Sequence, residues 1–137
     1  MENINSHTWS LFDNMEKIYI AHSTHFDYEN ELYAPLSEIK NFQFIFPHQQ
    51  GSKPKYSRDV IKSCALLLAE VSVPSLGTGI EVGWANAYGI PVVFMHKKDI
   101  KISSSLKLVS SNFLEYDDLA QKKEKIIEII KKIIFKN

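Results

Sequence analysis

The chain has 137 residues, 45% hydrophobic and 23% charged, with 16 basic against 16 acidic side chains and one cysteine, Cys64. That is long enough for one compact domain with a real core and too apolar for a disordered chain. The charge balance removes any global field toward nucleic acid, a lone cysteine excludes an internal disulfide, and no apolar run reaches the roughly 18–20 residues that span a bilayer.

A single domain is expected over 1–137, with 1–15 as a loose arm because Met1 to Asp13 show no period. That segment has no basic stretch followed by an apolar one, so no signal peptide is expected, and a cytoplasmic location is. Lys17 to Ala21 reads as a short buried strand and His22 to His25 as the polar loop after it. Asp27 to Lys40 carries Tyr28, Leu32, Leu36 and Ile39 at helical spacing, with a kink or restart expected at Pro35. Phe42 to Phe46 is a second strand, and His48 to Lys55 a loop broken by Gly51 and Pro54. Ser57 is placed to cap a short helix running to about Ser63.

Ala65 to Val71 lacks polar alternation, as a central parallel strand covered on both faces should. The turn Ser75 to Gly79 opens a helix to about Tyr88, ended by Gly89, and Pro91 to Met95 is the next strand. Ser103 to Val109 holds one or two helical turns, and Asn112 to Tyr116 a last strand. Asp117 is expected to cap a terminal helix with Ile126, Ile127, Ile130, Ile133 and Ile134 on one face. Alternating strands and helices imply βαβ units and a parallel sheet, of order 2-1-3-4-5. Ligands bind such sheets beyond the carboxyl ends of the strands, near the switch point between strands 1 and 3, which gathers residues 22–27, 72–79 and 96–105.

One of those loops carries chemistry. In Ala69-Glu70-Val71-Ser72-Val73-Pro74-Ser75-Leu76-Gly77-Thr78-Gly79-Ile80-Glu81, glycines and a serine at a strand-to-helix turn bring N–H groups and a hydroxyl close to any ligand above. Glu81 follows within the first turns, between Ile80 and Trp84. A carboxylate held there suits nucleophilic work, but equally a helix-dipole contact.

The run Ala-Glu-Val-Ser-x-Pro-Ser-x-Gly-x-Gly-Ile-Glu-x-Gly-x-Ala at 69–85 resembles that of nucleoside 2-deoxyribosyltransferases, and more closely that of their relatives, the 2′-deoxynucleoside 5′-phosphate N-hydrolases. The resemblance extends from Ile18 to about Tyr116 and implies a flavodoxin-like three-layer α/β sandwich. It implies Glu81 as the nucleophile attacking the sugar C1′, and Ser75, with Gly77 and Gly79 beside it, at the 5′-phosphate. Ile18-Tyr19-Ile20-Ala21-His22-Ser23 is similar to the hydrolases' opening segment, which puts Tyr19 and Ser23 on substrate-contacting positions. His22 stands where those hydrolases have glycine and is expected to narrow the pocket, touch the sugar or replace a backbone contact. Asp59 is the implied general acid, although its spacing to the central strand is shorter by about two residues. Ser104, within Ser103-Ser104-Ser105, lies near a serine that in the family reaches the neighbouring subunit's phosphate.

No metal and no cofactor are implied; the partner is a small nucleoside or nucleotide, and the assembly a homodimer or higher oligomer, with Trp84 and Tyr88 as candidate interface residues. His22, His25 and His48 follow neighbouring strands, but their spacing is not diagnostic of zinc. The Lys-rich terminal helix is read as docking on the sheet rather than on a membrane. Cys64 is read as buried, Glu70 as orienting its loop, and Gly77-Thr78-Gly79 lacks the remainder of a dinucleotide fingerprint. The expected activity is N-glycosidic cleavage of a (deoxy)nucleoside 5′-monophosphate or nucleoside with release of free base. Base exchange by a deoxyribosyltransferase, a non-catalytic nucleotide-binding module and cleavage of an NAD-type dinucleotide are the alternatives.

Overall fold

The computed structural model describes residues 15–49 and 56–136, so the expected N-terminal arm and most of the loop after the second strand lie outside the described residues. Five strands, β1 (Lys17–His22), β2 (Gln43–Ile45), β3 (Leu66–Glu70), β4 (Val92–Lys97) and β5 (Phe113–Tyr116), form one sheet. They are ordered β2-β1-β3-β4-β5, as the alternation of elements implies, and every neighbouring pair is parallel. Their carboxyl ends therefore share one edge.

Alternation along each strand sorts the core into two layers. Ile18, Ile20, Leu66, Leu68, Val93 and Met95 face one helical layer. Tyr19, Ala21, Leu67, Ala69, Val92 and Phe94 face the other. The first layer is closed by α1 (Ala34–Ser37) and by α4 (Lys123–Ile134), whose Ile126 and Ile130 are buried. The second is closed by α2 (Ser57–Lys62) and α3 (Leu76–Ala87) through Ile61, Val82 and Ala85. This is the flavodoxin-like sandwich expected. No helix among the described residues is long and apolar enough to cross a membrane.

One local expectation takes a specific form and two are corrected. The kink at Pro35 is a change of helix type: Glu29–Tyr33 is a π-helical turn, closed by the Ala34 N–H on the Glu29 carbonyl, and α1 then begins with Pro35 in its first turn. Proline has no N–H to give the carbonyl four residues back, so the chain widens ahead of it instead of continuing as α-helix. Ser57 does not cap α2; it is the first helical residue, and the cap position is Tyr56, with no side-chain bond. Asp117 does not cap α4 either. Asp118 caps a 3-10 turn, Leu119–Lys122, by accepting the Ala120 N–H at 3.2 Å, and that turn seats the buried Leu119 before α4 starts.

Candidate active site

The central strand ends at Glu70, and the chain turns through 71–75 into α3. Ser75 is extended (φ −151°, ψ 122°) and its Oγ accepts the Thr78 N–H at 3.2 Å, which makes it the N-cap. As an acceptor in that bond the hydroxyl can also donate, beside the N–H groups of the helix start, which have no intrahelical acceptor. From its first turn onward, α3 presents Thr78, Glu81, Val82 and Ala85 to the sheet. Tyr19 sits on the same side, by the alternation of β1.

Tyr19 and Glu81 meet there. The phenol donates to Glu81 Oε2 at 2.9 Å, with the two residues 0% and 4% exposed. Burial holds the Tyr19 hydroxyl well above the usual tyrosine range; the Glu81 charge and hydrogen bond add to this, and a hydrogen bond from Ser57 acts the other way. Tyr19 therefore stays a neutral donor, and the carboxylate is held in one orientation on an apolar wall. A carboxylate fixed in this way is suited to attack an electrophilic carbon, since little reorganisation precedes bond formation.

The other expected site residues fall around this pair at different depths. Ser23 is buried, and its Oγ accepts the His25 N–H at 3.0 Å. His22 points to the opposite face of the sheet from Tyr19. Its Nδ1 lies 2.7 Å from the Ser23 carbonyl and its Nε2 2.6 Å from the Tyr33 hydroxyl. A carbonyl only accepts, so the proton belongs on Nδ1, and Nε2 accepts from Tyr33, whose oxygen takes the His48 N–H at 3.0 Å. His22 thus links the end of β1 to the loop after β2. His22 and His48 do converge, with ring centroids 5.2 Å apart, but no group of three potential metal ligands occurs among the described residues.

Asp59 lies outside the buried pair. Its side chain is 67% exposed, 3.9 Å from Arg58 Nε, at a hollow of 200 Å³ shared with Tyr56, Ser57 and Trp84. A larger pocket of 440 Å³ opens on the other flank of α3, between Ser75, Thr78 and Gly79 on one side and Lys101, Ser103 and Ser105 on the other. Ser104 is exposed on the 3-10 turn Ser104–Leu108 and does not line it. Glu81 and Tyr19 do not line it either, though Thr78 and Val82, their neighbours on the helix, do. Thr78 Oγ1 is buried on this wall with no hydrogen-bond partner among the described residues. A methyl at Gly79 would meet open space and one at Gly77 only Ser75 Oγ at 4.0 Å. Packing within the chain therefore does not require these helical glycines, each about 0.5–1 kcal/mol worse than alanine.

Thr78, Ser57, Tyr33 and Tyr116 were not legible as site-related residues. Their roles depend on contacts far apart in sequence, and only the position of Thr78, three residues before Glu81, was a usable signal. Cys64 is buried, which pushes its thiol up to about 11 and leaves it a poor nucleophile.

A parallel 2-1-3-4-5 sheet with helices on both faces defines the class: a flavodoxin-like α/β protein, here with a phenol-held carboxylate behind a serine-capped helix. No protein-family model matches the chain. It is 35% identical over 106 residues to a protein of Methanosarcina mazei with the provisional name 2′-deoxynucleoside 5′-phosphate N-hydrolase 1, covering 69% of this chain and 66% of that one. Proteins of the same provisional name from Methanococcoides burtonii (42% over 53 residues) and Syntrophotalea carbinolica (31% over 77) cover 37% and 53% of this chain, and 43% and 54% of their own. The chain thus spans less than two thirds of the length of these relatives. The structure of the CMP N-glycosidase BcmB from Clostridium botulinum superposes with a TM-score of 0.60 at 26% identity, over 82% of this chain and 99% of that one. The chain is thus similar in sequence to proteins named 2′-deoxynucleoside 5′-phosphate N-hydrolases and in fold to a CMP N-glycosidase.

Proposed function

We propose that this protein hydrolyses the N-glycosidic bond of a (deoxy)nucleoside 5′-monophosphate or nucleoside, releasing free base. The observation that carries the reading is the buried Tyr19–Glu81 pair within the 69–85 segment that resembles the family's. One Glu81 oxygen attacks C1′ as the C1′–N bond breaks, and the base leaves with a proton supplied by Asp59 or by water it holds. Water then adds to C1′ of the glycosyl ester and gives its proton back to Asp59, or to the water it holds, releasing the sugar (as its 5-phosphate when a nucleotide is the substrate) and restoring the carboxylate. Ser75 and the start of α3 take the phosphate, Gly77 and Gly79 allow its close approach, and Tyr19 and Ser23 shape the sugar pocket, while His22, on the opposite face, ties the end of β1 to the loop after β2 instead of touching the sugar.

The N-glycosidases named above support this substrate class. The exposed Leu76 and Ile80, one turn apart on α3, support packing of a second copy on that face, bringing Ser104 to the neighbouring phosphate. Sedimentation at equilibrium that finds only monomer would remove that part of the proposal. A cytoplasmic nucleotide pool is the proposed setting.

The test is chromatography of base released from a panel of ribo- and deoxynucleosides and their 5′-monophosphates. Glu81→Gln is expected to lose at least about 10³-fold in kcat while staying folded. Release of base by the variant at the wild-type rate would refute the assignment. Exchange with an added second base, without hydrolysis, would make the protein a deoxyribosyltransferase. One observation favours a binding module without turnover: Asp59 is exposed and paired with Arg58. Binding of monophosphates without base release, unaffected by Glu81→Gln, is what that reading requires.

A further inference from the structure

Glu70 and Glu81 lie on opposite faces of the sheet. Glu70 ends β3 on the α4 side, at 1% exposure, in cross-strand register with His22. A buried carboxylate is tolerated only when well supplied with donors, since an unpaired one is several kcal/mol unfavourable. Glu70 has three. Oε1 accepts the Ser72 N–H at 2.8 Å; Oε2 accepts the Ser72 hydroxyl at 2.8 Å and a short bond from the Tyr116 hydroxyl. Ser72 Oγ in turn accepts the Lys97 N–H at 2.7 Å. One carboxylate thereby ties the last residues of β3, β4 and β5 to Ser72, in the turn that carries Ser75. Tyr116 is 2% exposed, and burial together with the Glu70 charge holds it protonated as a donor.

What hangs from this knot is one wall of the 440 Å³ pocket. Ladder pairing ends with the Val71 N–H on the Met95 carbonyl at 2.8 Å, after which the chain leaves the sheet. Ser72 and Ser75 line the pocket opposite Lys101 and Ser103, which follow β4. Ser72 binds Glu70 with one face and the β4 end with another, so the gap between the start of α3 and the 101–105 loop is set behind the sheet, away from Glu81.

We infer that Glu70 and Tyr116 are positioning residues that fix the turn carrying Ser75 and thereby set affinity for the phosphate-bearing part of the ligand. The inference deepens the proposed function and rests on it in placing the 5′-phosphate at Ser75. A merely structural role would lower the folded fraction and reduce activity on all substrates alike. A positioning role separates substrates by their phosphate.

The experiment compares wild type with Tyr116→Phe and Ser72→Ala, both of which keep Glu70, and with Glu70→Gln where it folds. KM and kcat are measured on the best-cleaved 5′-monophosphate and on its parent nucleoside, alongside equilibrium binding of the four deoxynucleoside 5′-monophosphates. Tyr116→Phe is expected to raise KM and Kd for the monophosphate about tenfold, with kcat within about twofold and the nucleoside constants unchanged. Equal losses on both substrates, or an unchanged monophosphate KM and Kd, would overturn the inference. Should wild type bind monophosphates without cleaving them, the proposed function fails while the Kd comparison still decides the positioning role. Should it bind none, both fail.

Discussion

At the scale of single residues, two buried carboxylates in one chain have been given different work by their neighbours. Glu70 is saturated by donors from its own and adjoining strands, while Glu81 receives a phenol from the side. Tyr19→Phe deletes that donor with little change of shape. A hydrogen bond to a buried charged group is worth about 1.5–3 kcal/mol, so the variant should unfold at lower urea by roughly that amount. Its kcat should fall as well, because the carboxylate loses the bond that aims it. Unchanged stability and unchanged kcat would mean that Glu81 is oriented by other contacts.

At the scale of elements, Gly89 shows how local chemistry ends α3. It has φ +74°, follows the C-cap Tyr88, and its N–H returns to the Asn86 carbonyl at 3.1 Å. An L side chain in that region is strained, so Gly89→Ala should destabilise the fold by about 1–2 kcal/mol, read as a drop in thermal midpoint. An unchanged midpoint would show that the helix end relaxes. The strands, their order and this stop were legible because each depends on short-range signals: apolar runs, β-branched residues and a glycine at a helix end. The π-helical turn before Pro35 was not, since a proline reports that a hydrogen bond is missing but not how the chain absorbs the loss. Asp117 and Asp118 are both plausible caps, and the choice is made by Leu119, whose burial is a tertiary fact. In the site, the segment 69–85 and the side of β1 that carries Tyr19 followed from pattern and resemblance. The Glu70–Tyr116 bond spans 46 residues and the His22–Tyr33–His48 chain joins three elements, so neither leaves a periodic trace.

For the whole molecule, the sheet buries three of six tyrosines with their hydroxyls hydrogen-bonded, along with the one thiol. Burial is the main cause that holds Tyr19, Tyr33 and Tyr116 far above 10, and Cys64 at about 11 against 9.0. As pH rises past 9, an unfolded chain sheds the thiol proton, and past 10 the phenol protons, while the folded chain keeps them. Stability is therefore complete below pH 9 and falls progressively above it. Urea midpoints between pH 8 and 11 should decline, and absorbance of phenolate should show Tyr19, Tyr33 and Tyr116 titrating only as the fold is lost. Six tyrosines ionising together in a folded protein would contradict this account.

Among the described residues the buried Thr78 hydroxyl has no partner, which leaves the fold a small internal debt. A buried oxygen without a partner is about 1–3 kcal/mol worse than a methyl of the same shape. Thr78→Val should therefore melt later than wild type when nothing is bound, and gain less on adding a monophosphate, because the valine has nothing for an arriving donor or acceptor to satisfy. If wild type and Thr78→Val melt together and respond equally to ligand, the hydroxyl is irrelevant to occupancy. If the curves cross, the ground state of this fold has been left slightly unfinished, and the ligand completes it.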